Sequence, residues 1–160
     1  HELMYGVSFP MSEAAQRDDW VVEFGKAKTE REGTDVSIVT FSRCVGKSLE
    51  AAEALAKDGI SAEVINLISI RPIDRDAIIK TVMKTNRLVT VEDGWPQCSV
   101  GSEIAAIVME SEAFDYLDAP VERMTGRDIP IAYAGNLETA SLPQAEDIAR
   151  VCKRVVGKKL

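Results

Sequence analysis

The side chains able to do chemistry fall in a few short segments. Glu92 and Asp93 are adjacent carboxylates, suited to acid–base work if one is held protonated. The commoner use of such a pair is to cap the next helix or hold a loop arginine. Arg71, beside Pro72, offers a guanidinium for a carboxylate or phosphate, or a partner for a nearby aspartate. Cys98 stands just ahead of an expected helix, where the helix dipole favours a thiolate, but no base accompanies it. Trp95, in the turn Gly94-Trp95-Pro96, is either an interface anchor or a plug over the core. Glu110, Glu112, Asp115, Asp118, Glu122 and Asp128 fall within nineteen residues against Arg123 and Arg127, a net −4. That cluster is a solvated face or a docking surface for a basic partner, where charge would speed encounter and set register. The end of the chain has the opposite sign, with Arg150, Lys153, Arg154, Lys158 and Lys159 against Glu146 and Asp147.

What is missing removes several classes of chemistry. The one histidine is residue 1, so no Ser-His-Asp or Cys-His arrangement and no histidine metal cluster is available within the fold. Cys44, Cys98 and Cys152 are far apart and form no C-x-x-C site. An odd, sparse set fits reduced, mostly buried thiols inside a cell. The ten glycines never form G-x-G and Lys47 has no P-loop around it, so both phosphate-cradling fingerprints are lacking. A formal charge of −7 argues against nucleic acid or an anionic membrane as partner. No apolar run approaches the length of a membrane span. The chain does not begin with Met, which suggests a piece of something longer.

The positioning elements follow from periodicity. Residues 1–34 are expected to be a linker with one edge or hairpin strand, and residues 35–160 a single regular domain. Residues 36–41 are a β-branched strand. Residues 43–57 follow as a helix with Val45, Leu49, Ala52 and Ala56 on one face, stopped at Asp58-Gly59. Residues 60–67 are the next strand, and Asp74 is placed to cap a helix running to Met83. Residues 87–91 are a third strand. Ser99 opens a helix with Val100, Ile104, Ile107 and Val108 on its face, and residues 121–124 are a fourth strand. Ser141-x-x-Gln144 matches a capping box with Pro143 in the first turn. The last helix would bury Ile148, Val151, Cys152 and Val155. This alternation predicts an α/β domain of three layers, doubly wound, with a mostly parallel sheet, helices on both faces and room for an antiparallel edge strand. Function in such folds gathers beyond the carboxyl ends of the strands, here the loops 42–44, 69–74, 92–98 and 125–136.

A longer set of residues carries a family likeness. Glu2-Leu3-Met4-Tyr5-Gly6, Gly25-Lys26-Ala27-Lys28, Arg31-Glu32-Gly33, Glu63-Val64-Ile65-Asn66-Leu67 and Ile70-Arg71-Pro72-Ile73-Asp74 form its first half. Lys84-Thr85-Asn86-Arg87 running on to Glu92, then Gly94-Trp95-Pro96-Gln97, Gly101-x-Glu103-Ile104 and Leu117-Asp118-Ala119-Pro120, complete it. In this order, from Glu2 to about Arg154, the set resembles the β subunits of the pyruvate dehydrogenase (acetyl-transferring) component. Arg127, Ala132 and the tail depart from that pattern. Branched-chain 2-oxoacid dehydrogenase β subunits share the Arg71-Pro72 motif but differ at Gly-Trp-Pro-Gln.

The resemblance implies a C-terminal, transketolase-like domain serving assembly and docking. It implies a complex that uses thiamine diphosphate with magnesium to convert pyruvate to acetyl-CoA and CO2, the active site lying in another part of the subunit. No cofactor, metal or catalytic residue is expected on this chain, which by itself is expected to be inactive. The implied partners are an α subunit, a second β subunit in a heterotetramer, and the subunit-binding domain of dihydrolipoyl acetyltransferase. That domain would meet Asp118 and the chain end near Leu160. The implied location is the mitochondrial matrix, with bacterial cytoplasm and plastid left open. Two rivals remain: a free-standing regulatory module with a ligand pocket near Arg71, Glu92 and Asp93, and a cysteine enzyme using Cys98.

Overall fold

The computed structural model describes residues 5, 6, 8 and 10–157. Five strands form one sheet: β1 (Lys28–Arg31), β2 (Val36–Thr40), β3 (Ala62–Asn66), β4 (Leu88–Val91) and β5 (Glu122–Met124), in the order β1-β3-β2-β4-β5. Every pairing is parallel except β1 with β3. The helices are α1 (Cys44–Lys57), α2 (Arg75–Thr85), α3 (Val100–Met109), α4 (Gly135–Ser141) and α5 (Ala145–Gly157). The doubly wound sheet and its antiparallel edge strand are those expected. The edge strand forms from the charged run, and its register shifts between Thr29 and Arg31, two features that discourage edge-to-edge pairing.

Alternation along the strands sends side chains into two cores. Val36, Ile38, Val64, Val89 and Val91 pack with α1 and α5 on one face. Val39, Ile65, Leu67 and Leu88 pack with α2 and α3 on the other. β2 and β4 are buried along their whole length, as strands covered on both faces must be. Most polar residues in this interior are paired, Ser48 and Thr90 excepted. The Ser37 hydroxyl donates to the Thr81 carbonyl, and Thr81 Oγ1 donates to Glu63 Oε1 at 2.8 Å. Lys84 reaches both Glu63 and Glu32.

Asp74 and Ser99 cap their helices as expected, accepting from Ala77 N and Ser102 N. Two other expectations are corrected. The buried stripe of α1 is Cys44, Ser48, Ala51, Ala52 and Leu55, one residue (about 100°) round from the Val45–Leu49 face. Its small residues let the helix approach the sheet closely, while the bulkier Val45 and Leu49 lie at the flank. Ser141 does not cap the last helix. It ends α4, its hydroxyl donates to the Glu138 carbonyl at 2.7 Å, and Gln144 donates to the Thr139 and Leu142 carbonyls. Pro143 forces Leu142 into an extended conformation (φ −114°, ψ 152°), which interrupts the helix and delays α5 to Ala145.

Candidate functional site

The carboxyl end of the sheet is where an α/β fold of this kind would hold a ligand, at the point where successive connections pass to opposite faces. Here that point lies between β2, followed by α1, and β4, followed by α3. It is filled by protein. Arg43 Nε lies 3.2 Å from Asp93 Oδ2 across it, and the Cys44 thiol donates to Asp93 Oδ1 at 3.4 Å. Burial first, then the Asp93 charge, push the Cys44 thiol up to about 12. Glu92 is buried and accepts from Gly101 N at 2.7 Å, so it closes the first turn of α3. The two carboxylates thus take both structural roles, helix cap and arginine partner, and neither is set up as a general acid or base. Arg71 is exposed and makes no ion pair among the described residues. The cavities described among these residues are lined by other side chains than Arg71, Glu92 and Asp93. Cys98 is exposed, with φ +54° and no base beside it. Trp95 is more than half exposed, on a loop held by Arg123 Nη1, which donates to Pro96 O and Ser102 Oγ at 2.7 Å each.

Among the described residues no group of three or more His, Cys, Asp and Glu could hold a metal ion. With the switch point sealed by Arg43 and Asp93, the donor set does not fit a diphosphate cofactor and its magnesium.

The amino end of the sheet presents a different surface. Because β4 and β5 are parallel neighbours, the residues just ahead of them are brought together. Asp118 N donates to Asn86 O at 2.8 Å, and Asp118 Oδ2 meets Arg87 Nη2 at 3.1 Å. The Asp118 side chain stays 46% exposed while Arg87 is 20% exposed, so the carboxylate is oriented rather than consumed. Arg87 Nη1 also donates to the Asp35 carbonyl. Leu117 and Ala119, the neighbours of Asp118 in sequence, line an apolar groove of about 390 Å³ together with Ala105, Met109, Phe114, Pro120 and Val121. Met109 and Phe114 are half exposed in it.

The acidic cluster divides on folding. Glu110 lies 3.9 Å from Arg75 and Glu122 pairs with Arg154 at 2.9 Å, while Asp128 sits beyond β5 at the other end of the sheet. Glu112 and Asp115 are exposed and, with Asp118, leave the segment ahead of β5 acidic. The basic helix is largely engaged in the same way. Arg150 meets Asp147, Lys153 meets Asp58 and Arg154 meets Glu122. Leu160, the other expected contact, lies outside the described residues, as does most of the segment 1–9. Sequence reasoning missed Arg87 and the groove. The signal was available in the strand order: two parallel neighbours place the residues preceding each of them side by side.

Comparison with known proteins agrees with this fold. The transketolase C-terminal domain family matches residues 25–148. Pyruvate dehydrogenase E1 component subunit beta-1, mitochondrial, of Arabidopsis thaliana is 61% identical over 154 residues, covering 96% of this chain and 42% of that protein. The corresponding β subunit of Rattus norvegicus is 54% identical over 157 residues, 98% of this chain and 44% of that protein. The chain therefore spans less than half the length of the curated relatives it matches, and their names support the expected mitochondrial placement. Among solved structures, a split-gene transketolase described as an inactive beta4 tetramer superposes with a TM-score of 0.76 at 27% identity, over 90% of this chain and 45% of that one. A transketolase from Pichia stipitis shares the fold alone, with a TM-score of 0.55 at 16% identity over 85% of this chain and 19% of that one. With a family match across most of its length, the chain belongs to the transketolase C-terminal domain family, and its sequence is similar to the matching part of pyruvate dehydrogenase E1 β subunits.

Proposed function

We propose that the chain is the assembly and docking domain of a thiamine-diphosphate-dependent pyruvate dehydrogenase β subunit. The complete enzyme decarboxylates pyruvate and reductively acetylates a lipoyl group, within a complex that yields acetyl-CoA and CO2. Its thiamine diphosphate and magnesium are held by parts of the enzyme outside this chain. Residues 1–34 lead in from the preceding domain and contribute the edge strand, and residues 35–160 form the assembly unit. Its partners are the α subunit, a second β subunit in a heterotetramer, and the basic subunit-binding domain of dihydrolipoyl acetyltransferase. The split-gene transketolase, an inactive beta4 tetramer, supports β–β association.

The observation that carries the docking role is Asp118, held half exposed by Arg87 between two residues, Leu117 and Ala119, that line an apolar groove. An oriented carboxylate with exposed Met109 and Phe114 suits a partner that brings a cationic side chain and an apolar anchor together. Leu160 is the second proposed contact. The enzyme-level reading is tested by purifying the full-length β subunit with its α subunit. Pyruvate turnover that requires thiamine diphosphate is expected of that pair, and neither turnover nor a calorimetric response to thiamine diphosphate is expected of the 160-residue chain. Micromolar binding of the cofactor by the chain alone would contradict this reading.

A further inference from the structure

The large hydrophobic side chains that the fold leaves in solvent are gathered at one end of it. β1 runs antiparallel to β3 with Lys28 opposite Asn66, so the segment entering β1 lies at the end from which the loops after the four parallel strands depart. Phe24 enters there, Ile68 and Ile70 follow β3, Trp95 follows β4, and Ile131 and Tyr133 follow β5; their exposures run from 47% for Ile68 to full for Tyr133. Beyond the lead-in segment, only Met109, Phe114 and Tyr116 among the described large exposed hydrophobics belong elsewhere, the first two lining the groove.

These side chains are displayed on backbone that is held in place. Gly25, at φ +73°, lies so close to Pro72 that a Cβ there would come within 2.9 Å of its ring, and Ala27 N donates to Asp74 Oδ2 at 2.9 Å. Gly126 N donates to Gly94 O and Arg127 N to Ser141 O, each at 2.9 Å. The second of these bonds closes the base of the excursion 128–140, whose residues are all exposed apart from Ala132. Arg123 pins the Trp95 loop. Between these anchors, Arg43 and Asp93 bridge the crevice, and the cavity described at this end is a small one beside Thr125 and Ser141. Monomers seldom leave so many large apolar groups on one face unless another surface meets it.

We propose that the carboxyl end of the sheet is the face on which the rest of the longer subunit packs. The inference rests on the family reading above. Its grounds are the relatives' length, more than twice that of the matched region, and the pinned lead-in, which brings the preceding chain to this end. The apolar face then serves permanent contact within the enzyme. The groove at the opposite end stays open for an exchangeable partner.

Cys98, three residues beyond Trp95, is a built-in reporter, since Cys44 and Cys152 are buried. Alkylation of Cys98 by iodoacetamide, followed by peptide mass spectrometry, is expected to be at least about tenfold slower in the full-length subunit than in the 160-residue chain. Trp95→Asp with Ile70→Asp should restore the faster rate, whereas Met109→Asp should leave the protection intact. Hydrogen exchange across residues 66–72 and 93–98, compared between the two unmutated proteins, gives the same answer without relying on a variant that folds. Equal rates in a folded full-length subunit would overturn the proposal. So would protection that grows with concentration in the 160-residue chain, which would assign the face to a second copy. Protection of Cys98 in a full-length subunit that fails to turn over pyruvate with its α subunit would leave this packing standing and remove the family reading instead.

Discussion

Arg87 Nη2 and Asp118 Oδ2 lie 3.1 Å apart at the amino ends of the neighbouring strands β4 and β5. The pair orients a carboxylate without burying it, and the residues on either side of it in sequence, Leu117 and Ala119, line an apolar groove. A partly exposed pair of this kind contributes about 0–1 kcal/mol to folding. Asp118→Ala is therefore expected to shift the urea unfolding free energy by less than about 1 kcal/mol. A loss of several kcal/mol would mean that Asp118 is a structural residue.

The Lys84 ammonium, shared by Glu63 and Glu32, should set a pH window for stability. Hydrogen bonding to Lys84 holds the Glu32 carboxyl below its ordinary range, and bonds to Glu32 and Glu63 hold the Lys84 ammonium above its own. A depressed carboxyl stabilises above its unfolded value and loses that as pH falls, while a raised ammonium stabilises below its unfolded value and loses that as pH rises. The contribution should be complete between about pH 4.3 and 10.4, the unperturbed Glu and Lys values, and decline outside them. Lys84→Met leaves Glu63 buried with only Thr81 as donor, and should cost about 1–3 kcal/mol by chemical denaturation at pH 7. Lys84→Met made together with Glu63→Gln should recover part of that loss. A pH profile unchanged by Lys84→Met would contradict the assignment.

Two glycines should tolerate Ala unequally. At Gly33 an added Cβ would fall 2.2 Å from the Ala62 backbone carbon, and at Gly101 it would fall 2.6 Å from Thr90 Oγ1 and 2.8 Å from Glu92 Oε1. Side chains can shift where a strand backbone cannot. Gly101→Ala is expected to cost about 1–3 kcal/mol, and Gly33→Ala more, as read from thermal unfolding. Equal or negligible losses would show that the segment after β1 approaches β3 less closely than described.

Much of this was legible in the chain because it is written locally. Asp74 and Ser99 announce their helices, and the β-branched runs give β2 to β4 within a residue or two. The roles of Glu92 and Asp93 were among the alternatives their position allowed. What failed did so where a second segment decides. The stripe of α1 turned by one residue because the sheet and α5 accept Ala51 and Ser48 more closely than the apolar pattern suggests. The Ser141 motif was overruled by Pro143 and by a short helix, α4, with little apolar periodicity to reveal it. The Arg87–Asp118 pair joins residues thirty-one apart in sequence and emerges only once β4 and β5 are known to be neighbours.

The three thiols should behave very differently. Burial pushes Cys152 up to about 12, and burial with the neighbouring Asp93 charge does the same to Cys44. Both are protonated at pH 8, and both are buried. Native alkylation at pH 8 should give one adduct, at Cys98, with the other two appearing only in denaturant. Early modification of Cys44 or Cys152 would contradict their placement.

The docking role is tested most directly by titrating the chain, in a calorimeter, with the basic subunit-binding domain of dihydrolipoyl acetyltransferase. Saturable binding that weakens with salt is expected of the natural sequence. Asp118→Ala should weaken it by about 30-fold or more, the counterpart of roughly 2 kcal/mol or greater for removing one partner of a charge pair desolvated on binding. Met109→Lys, in the groove wall, should weaken it independently. An unchanged dissociation constant in a folded Asp118→Ala chain would contradict the account.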